Sequence, residues 1–260
     1  PLSDQAGEIE KRKKAARLSE KALRLMAPGF FSIHPVEYEK PEEDILLLDA
    51  TFLSTTPEAT MFVPSYASWL EQTDQSPAYA YLVKLLKYLQ YQRPGKRWVL
   101  KSPHHMEFPD LAKKHFKDVH YIWTHRNIAE SLPSFLSMVA HSQTIFSDQV
   151  SLDRVAKHWV RKTGYMLSKG IQFRKENPKE KYTDVMYPQL IASPMSVLED
   201  IYRFDASIQE NLLARFKETE QQNKQYKYGK HTYKLEDFGI RQENINEVVN
   251  VYNEFLNTLK

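Results

Sequence analysis

Apolar positions recur at helical spacing through most of the chain. Between residues 4 and 26, Ile9, Ala16, Leu23 and Met26 share one face, and Pro28-Gly29 ends the pattern. Pro41-Glu42-Glu43-Asp44 is read as the start of a second helix, because proline suits a first turn and acids complement its positive end. A longer helix follows Asp74-Gln75-Ser76-Pro77 and buries Leu82, Leu85, Leu86 and Leu89, until Arg93-Pro94-Gly95 stops it. The pattern then changes. Residues 97–101 read as a short strand, residues 108–116 return to helical spacing, and residues 119–124 form a β-rich run. Strand, short helix and strand in that order predict a βαβ unit with parallel strands. A third strand is expected over residues 182–186, after a long helix over residues 152–175. Residues 226–234 interrupt the helical remainder, and residues 244–259 form the last helix. The predicted class is α/β, a small parallel sheet flanked by many helices. No linker-like tract divides the chain, so a single domain over residues 1–260 is expected.

Composition narrows the functional classes. A chain of 260 residues buries enough surface to need no disulfide or metal staple. Lys+Arg is 36 against Asp+Glu 33, a net charge of +3 that is too small and too interspersed to mark a nucleic-acid surface. Only 7 glycines are present, which works against Gly-rich nucleotide loops. The absence of cysteine removes disulfide scaffolds, thiol nucleophiles, zinc–cysteine sites and iron–sulfur clusters. No apolar run approaches the roughly 18 residues needed to span a bilayer. The stretch after residues 11–14 is amphipathic, unlike a signal peptide. With no Asn-x-Ser/Thr sequon either, the expected location is cytoplasmic. The chain starts at Pro1, without an initiator methionine.

In open α/β sheets, ligands bind beyond the carboxyl ends of the strands. That rule selects Lys101-Ser102-Pro103-His104-His105, then His125-Arg126-Asn127, then Tyr187-Pro188-Gln189. Such a rim suits a phosphate-bearing nucleotide: arginine offers a bidentate fork, lysine a point charge and tyrosine a platform for a base. The plainer reading is that Lys101 and Arg126 are solvated strand ends and the nearby histidines are scattered. No metal site is expected, since no His-Glu-x-x-His spacing accompanies them. After Arg126 a helix is expected, with Asn127 as N-cap, Glu130 at the capping-box position and a kink at Pro133. Ser134 lies on it. Either Arg126 and Ser134 close on one phosphate from two sides, or Ser134 bonds a carbonyl one turn back.

These residues, taken in order, resemble the sulfotransferases. The carriers are Trp98-Val-Leu-Lys-Ser-Pro-His-His105, residues 119–124 leading into His125-Arg126-Asn127, and Pro133-Ser134. The similarity is to the bacterial-type group with a Leu-Lys-x-Pro-x-His signature. Tyr187-Pro-Gln-Leu190, with Pro194 beyond, is similar to the family's segment near the nucleotide. Residues 27–35, 41–44 and 230–239 add to the resemblance, which runs from about residue 15 to residue 255. It implies a P-loop NTPase-like architecture and 3′-phosphoadenosine 5′-phosphosulfate (PAPS) as sulfonate donor, with no metal. It implies cofactor-binding roles for Arg126, Ser134, Tyr187, Lys230 and His231. The family's phosphosulfate loop of Arg-x-Gly-Thr-Ser/Thr type is missing, so the chain is expected either to lack its first strand and loop or to be a loop-less homologue.

The same resemblance implies a mechanism. Lys101 would neutralise charge on the leaving bisphosphate, and a histidine would act as base, His105 matching the signature better than His104. Glu42, with Glu43, would stand near the acceptor; as plain residues both are helix-start acids. Phe52, Phe62, Tyr66, Trp69 and Tyr79 either line an acceptor pocket or belong to the core, the usual place for aromatics at helical spacing. The acceptor would be a small molecule, carbohydrate or lipid. The rival readings are a non-catalytic binding or scaffold protein built on this fold and a nucleotide-dependent kinase, the latter opposed by the absent Walker loop.

Overall fold

The computed structural model describes residues 6–28, 30, 34, 36–92, 95, 97–202, 210–222 and 233–259. Helix α1 spans Ala6–Met26, and short helices follow at Ile45–Leu48 (α2), Thr56–Thr60 (α3) and Pro64–Gln72 (α4). Helix α5 covers Ser76–Gln92, and a 3₁₀ turn at Pro103–Met106 leads to α6 at Pro109–His115. Strand β1 is His120–His125, followed by α7 at Ile128–Gln143, α8 at Leu152–Glu176 and strand β2 at Lys181–Met186. Helices α9 (Tyr187–Ala192), α10 (Pro194–Tyr202), α11 (Glu210–Gln222) and α12 (Asn246–Asn257) complete the described chain.

The sheet is parallel, as the sequence pattern predicts, and small: β1 and β2 pair from His120 opposite Lys181 to His125 opposite Met186. Parallel strands need a long crossover. Here α7 and α8 supply it, so the βαβ unit is built from residues 120–186 rather than 97–124. Residues 97–101 form no strand among the described residues. The amide of Lys101 donates to Asp44 Oδ1 at 2.7 Å instead of joining a ladder, and Val99 is 74% exposed. A β-prone sequence becomes a strand only where a second strand meets its backbone groups.

The acids at 42–44 do not play the helix-dipole role that their position suggests. Helix α2 begins at Ile45, and the Asp44 side chain makes no capping bond to it. At α7 the expectation holds: Asn127 is the N-cap, and its side chain accepts from the Ala129 amide at 2.9 Å. The helix runs on from Ile128 to Gln143 through a buried Pro133. Of the five aromatics considered for core or pocket, Tyr79 is fully buried, whereas Phe52, Phe62 and Trp69 are substantially exposed. Phe52 and Phe62 lie in the connections between short helices, and only Trp69 is on a helix, α4.

The largest core cluster lies between the crossover helices and the C-terminal segment. Leu132, Leu136 and Val139 of α7 meet Val155, Ala156 and Trp159 of α8, with Leu235, Phe238 and Ile245 closing over them. A second cluster joins Leu48 of α2 to Ala78, Leu82 and Leu86 of α5. A third sets Leu167 and Ile171 of α8 against Tyr252 and Phe255 of α12. Gly170 lets α8 approach both the 3₁₀ turn and the sheet, because a Cβ there would stand 3.1 Å from Met106 Cγ and 3.2 Å from the Trp123 ring. Gly170→Val is therefore expected to destabilise the fold by about 1–3 kcal/mol through overpacking, read as a lowered midpoint in urea denaturation. An unchanged midpoint would mean that the contact has slack.

Candidate active site

Two groups of polar side chains gather the candidate residues, and only the second of them follows the ends of strands. The first is built on the turn after Lys101. The Ser102 hydroxyl accepts from the His104 amide, and Pro103 supplies the fixed φ of the first position. The turn aims its two histidines in different directions. His105 Nε2 meets Asp44 Oδ2 at 2.8 Å, and its Nδ1 meets the Tyr79 hydroxyl at 2.8 Å. An ionised Asp44 assigns the proton to Nε2 and leaves Nδ1 to accept from Tyr79. Asp44 takes its second bond from the Lys101 amide, and the Lys101 ammonium pairs with Glu43 at the exposed rim. Burial works against the Asp44 carboxylate, but the bonds from His105 and Lys101 prevail and hold it below the usual range. Glu42 is exposed: its Oε1 accepts from the Glu43 amide at 2.9 Å and lies 3.7 Å from His34 Nε2.

His104 has the opposite environment. It is fully buried beside Tyr79 and Phe108, and neither ring nitrogen has a hydrogen-bond partner. Burial pushes its pKa down to about 3, with His105 and Lys162 adding to the shift, so the ring is neutral at physiological pH. Behind the turn, Glu107 is buried against Lys162 at 2.8 Å. Burial pushes the Glu107 carboxyl up to about 7 despite the neighbouring ammonium.

The second group sits at the paired ends of β1 and β2. Because His125 is opposite Met186, the residues that follow, Arg126 and Tyr187, leave the sheet side by side. The Arg126 guanidinium lies 4.4 Å from the centre of the Tyr187 ring, within cation–π range. Ser134 is exposed on α7, two turns beyond the N-cap and about 10 Å along the axis at ~1.5 Å per residue. No hydrogen bond ties its hydroxyl to the carbonyl one turn back. The strand end is braced from behind: Arg174 forks onto Asp184 at 2.5 and 2.6 Å, Asp184 meets His125 Nε2 at 2.8 Å, and His125 Nδ1 meets the Tyr252 hydroxyl at 2.7 Å. Burial pushes the His125 pKa down against the pull of Asp184.

The structure therefore brings Lys101, His105 and Glu43 together, and separately Arg126 with Tyr187. Lys230 and His231 lie outside the described residues. Among the described residues no cluster of His, Asp or Glu could hold a metal ion, and no helix is long and apolar enough to cross a membrane. Sequence reading missed Asp44 and Tyr79 as partners of His105. For Asp44 a signal existed, a third acid directly beside two already chosen; for Tyr79, 26 positions from His105, there was none.

These features define an α/β protein with one polar group on the turn after Lys101 and a second, Arg126 with Tyr187, at the paired strand ends. A family model described as "Sulfotransferase family" matches residues 3–205. The chain belongs to the sulfotransferase family. Two solved structures are similar to it: sulfotransferase STF1 from Mycobacterium tuberculosis H37Rv, 27% identical with a TM-score of 0.72 over 83% of this chain, and sulfotransferase STF9 from Mycobacterium avium, 22% identical with a TM-score of 0.75 over 82%. The second likeness speaks to the fold alone. The aligned part covers 56% and 55% of those two chains, so this chain spans little more than half their length. No curated protein matches the sequence.

Two buried groups beside the turn oppose each other in their effect on stability. His104, depressed from its ordinary 6.5, takes up a proton in the unfolded chain first, so its contribution is lost as pH falls below 6.5. Glu107, raised from its ordinary 4.5, keeps its proton longer in the fold, so its contribution is lost as pH rises from 4.5 towards 7. Between pH 4.5 and 6.5 the two slopes oppose. Relative to wild type, Glu107→Gln should make stability rise more steeply with pH in that window, by about 1.4 kcal/mol per unit, and His104→Leu should tilt it the other way. Urea titrations across the window check both signs.

Proposed function

We propose that the protein transfers a sulfonate group from PAPS to a hydroxyl or amine of a small acceptor. The observation that carries this reading is the emergence of Arg126 and Tyr187 together at the paired strand ends, in a chain of this family. Arg126 would fork onto the donor's 3′-phosphate, with the Ser134 hydroxyl as a second donor from α7. Tyr187 would offer its ring face to the adenine, and Lys230 and His231 are kept as further nucleotide contacts on the resemblance alone. The rim fits an anionic nucleotide in charge and needs no metal.

In the reaction an acceptor oxygen or nitrogen attacks the sulfur in line. The S–O bond to the phosphate breaks, adenosine 3′,5′-bisphosphate leaves, and the acceptor proton passes to a base. Lys101 neutralises the charge that gathers on the departing bridging oxygen. Its backbone is held by Asp44 and its ammonium by Glu43, an exposed ion pair that donor phosphates can displace at little cost. For the base, Glu42 is the carboxylate open to an acceptor, with Oε2 unengaged. Both ring nitrogens of His105 are taken, which makes it the clasp that holds Asp44. The second reading, His105 as base, has the Asp44 pairing in its favour and needs Tyr79 to yield Nδ1 to the acceptor.

Calorimetric titration with adenosine 3′,5′-bisphosphate tests the nucleotide site. Binding is expected, weakened about 10- to 100-fold by Arg126→Ala, the worth of a charge-assisted hydrogen bond of ~1.5–3 kcal/mol. No binding at millimolar ligand would overturn the reading and favour the scaffold. For the base, Glu42→Gln should lower kcat about 10²–10⁴-fold with nucleotide affinity retained. Retained turnover in Glu42→Gln, together with its loss in His105→Gln, would move the role to His105.

A further inference from the structure

The most heavily charged part of the interior lies one layer behind the rim. Lys162, on α8, is completely buried, and three carboxylates from three separate elements converge on it. Glu107 Oε2, at the end of the 3₁₀ turn, stands 2.8 Å from its ammonium; Glu71 Oε1 of α4 stands at 3.1 Å and Glu58 Oε2 of α3 at 3.5 Å. Arg161 forks onto Glu71 from the rim, and His158 meets Glu58 at 2.6 Å. Burying one ammonium among three carboxylates is a poor way to gain stability, since well-packed apolar residues usually do as well or better. Such a cluster does impose geometry, because an ammonium that loses a partner here finds no water to replace it.

What it holds is the turn. Pro103–Met106 begins two residues after Lys101, carries His105 and ends at Glu107, whose amide bonds back to the carbonyls of His104 and His105. From the outside the turn is held by Asp44 and Tyr79 through His105. From the inside, Met106 packs against Gly170 and Glu107 is clasped by Lys162. Glu107 Oε1 has no hydrogen-bond partner, so the bond from Lys162 to Oε2 is the carboxylate's sole anchor among the described residues.

We propose that Lys162 is a positioning residue for sulfonate transfer: through Glu107 it fixes the turn that sets His105 and the Lys101 backbone relative to the donor. It touches neither donor nor acceptor and acts on turnover by holding the turn's register. The proposal rests on the sulfotransferase reading above, and its test separates the two. Glu107→Gln keeps an acceptor for Lys162 but removes the carboxylate that clasps it. The double variant Glu107→Gln/Lys162→Met removes the clasp with one carboxylate fewer left unpaired. Glu71→Gln, which alters the same cluster without touching the turn, is the control.

Two readouts are used: the imidazole NMR resonances of His105, with those of His125 as internal reference, and kcat with acceptor KM and nucleotide affinity. In the Glu107 variants the His105 resonances should shift or broaden while those of His125 stay. Turnover should fall about 10- to 100-fold, as it does when reacting groups are misplaced by an ångström, with nucleotide affinity within about twofold. Glu71→Gln should lower the melting temperature and leave both readouts in place. Unmoved His105 resonances, unchanged kcat in the Glu107 variants, or an equal loss in Glu71→Gln would overturn the proposal and leave Lys162 a stabilising residue only. If wild type transfers no sulfonate, the functional reading fails and takes the proposal with it, whereas a failure of the proposal alone shows as normal turnover in the variants.

Discussion

A parallel pair of strands cannot be closed by a hairpin, and most of this structure follows from that constraint. Joining the end of β1 to the start of β2 requires the chain to travel back along the sheet, and α7 and α8 make the journey. Their facing sides supply much of the largest core cluster. The same two helices turn Ser134 outward to solvent and Lys162 inward to the charged interior. The crossover also leaves Arg126 and Tyr187 adjacent at one end of the sheet, although 61 positions separate them in the chain.

The groups at the rim are mostly exposed, and their own contacts are weak. An exposed ion pair such as Lys101 with Glu43 contributes at most about 1 kcal/mol. Each rim group is tied to a buried one. Lys101 leans on Asp44, Asp44 on His105, and His105 on Tyr79, which has no exposed surface. Arg126 follows a strand end braced by His125, Asp184, Arg174 and Tyr252. The arrangement fixes the backbone beneath the cations; in the proposed reaction that would be the preorganisation on which electrostatic stabilisation of a transition state depends.

Much of the fold was legible in the sequence. The α7 N-cap at Asn127, the long α8, the strand over 182–186 and the parallel sheet all follow from local periodicity, turn chemistry and β-branched runs. Residues 97–101 mark where that reasoning stops. Their composition is that of a strand, but strand formation depends on a partner, and the side chain of Asp44 claims the amide that a ladder would use. The exposed Phe52, Phe62 and Trp69 stop it as well, since spacing alone does not say whether an aromatic on or between short helices has anything to cover it.

For the site, the chemistry-bearing residue types and their order were readable, because the strand-end rule depends only on where strands finish and which side chains follow. The class of fold and the family resemblance could be read in this way, and so could the place of Arg126 and Tyr187 after β1 and β2; Lys101 and His105 follow no strand, and the motif rather than the rule singles them out. Only the tertiary structure decided which histidine meets a carboxylate, since adjacent side chains on a tight turn point apart and His104 went into the core. Only it brought Asp44 and Tyr79 to His105, and Glu58, Glu71 and Glu107 to Lys162. Those partners are distant along the chain, and packing rather than local preference sets them side by side.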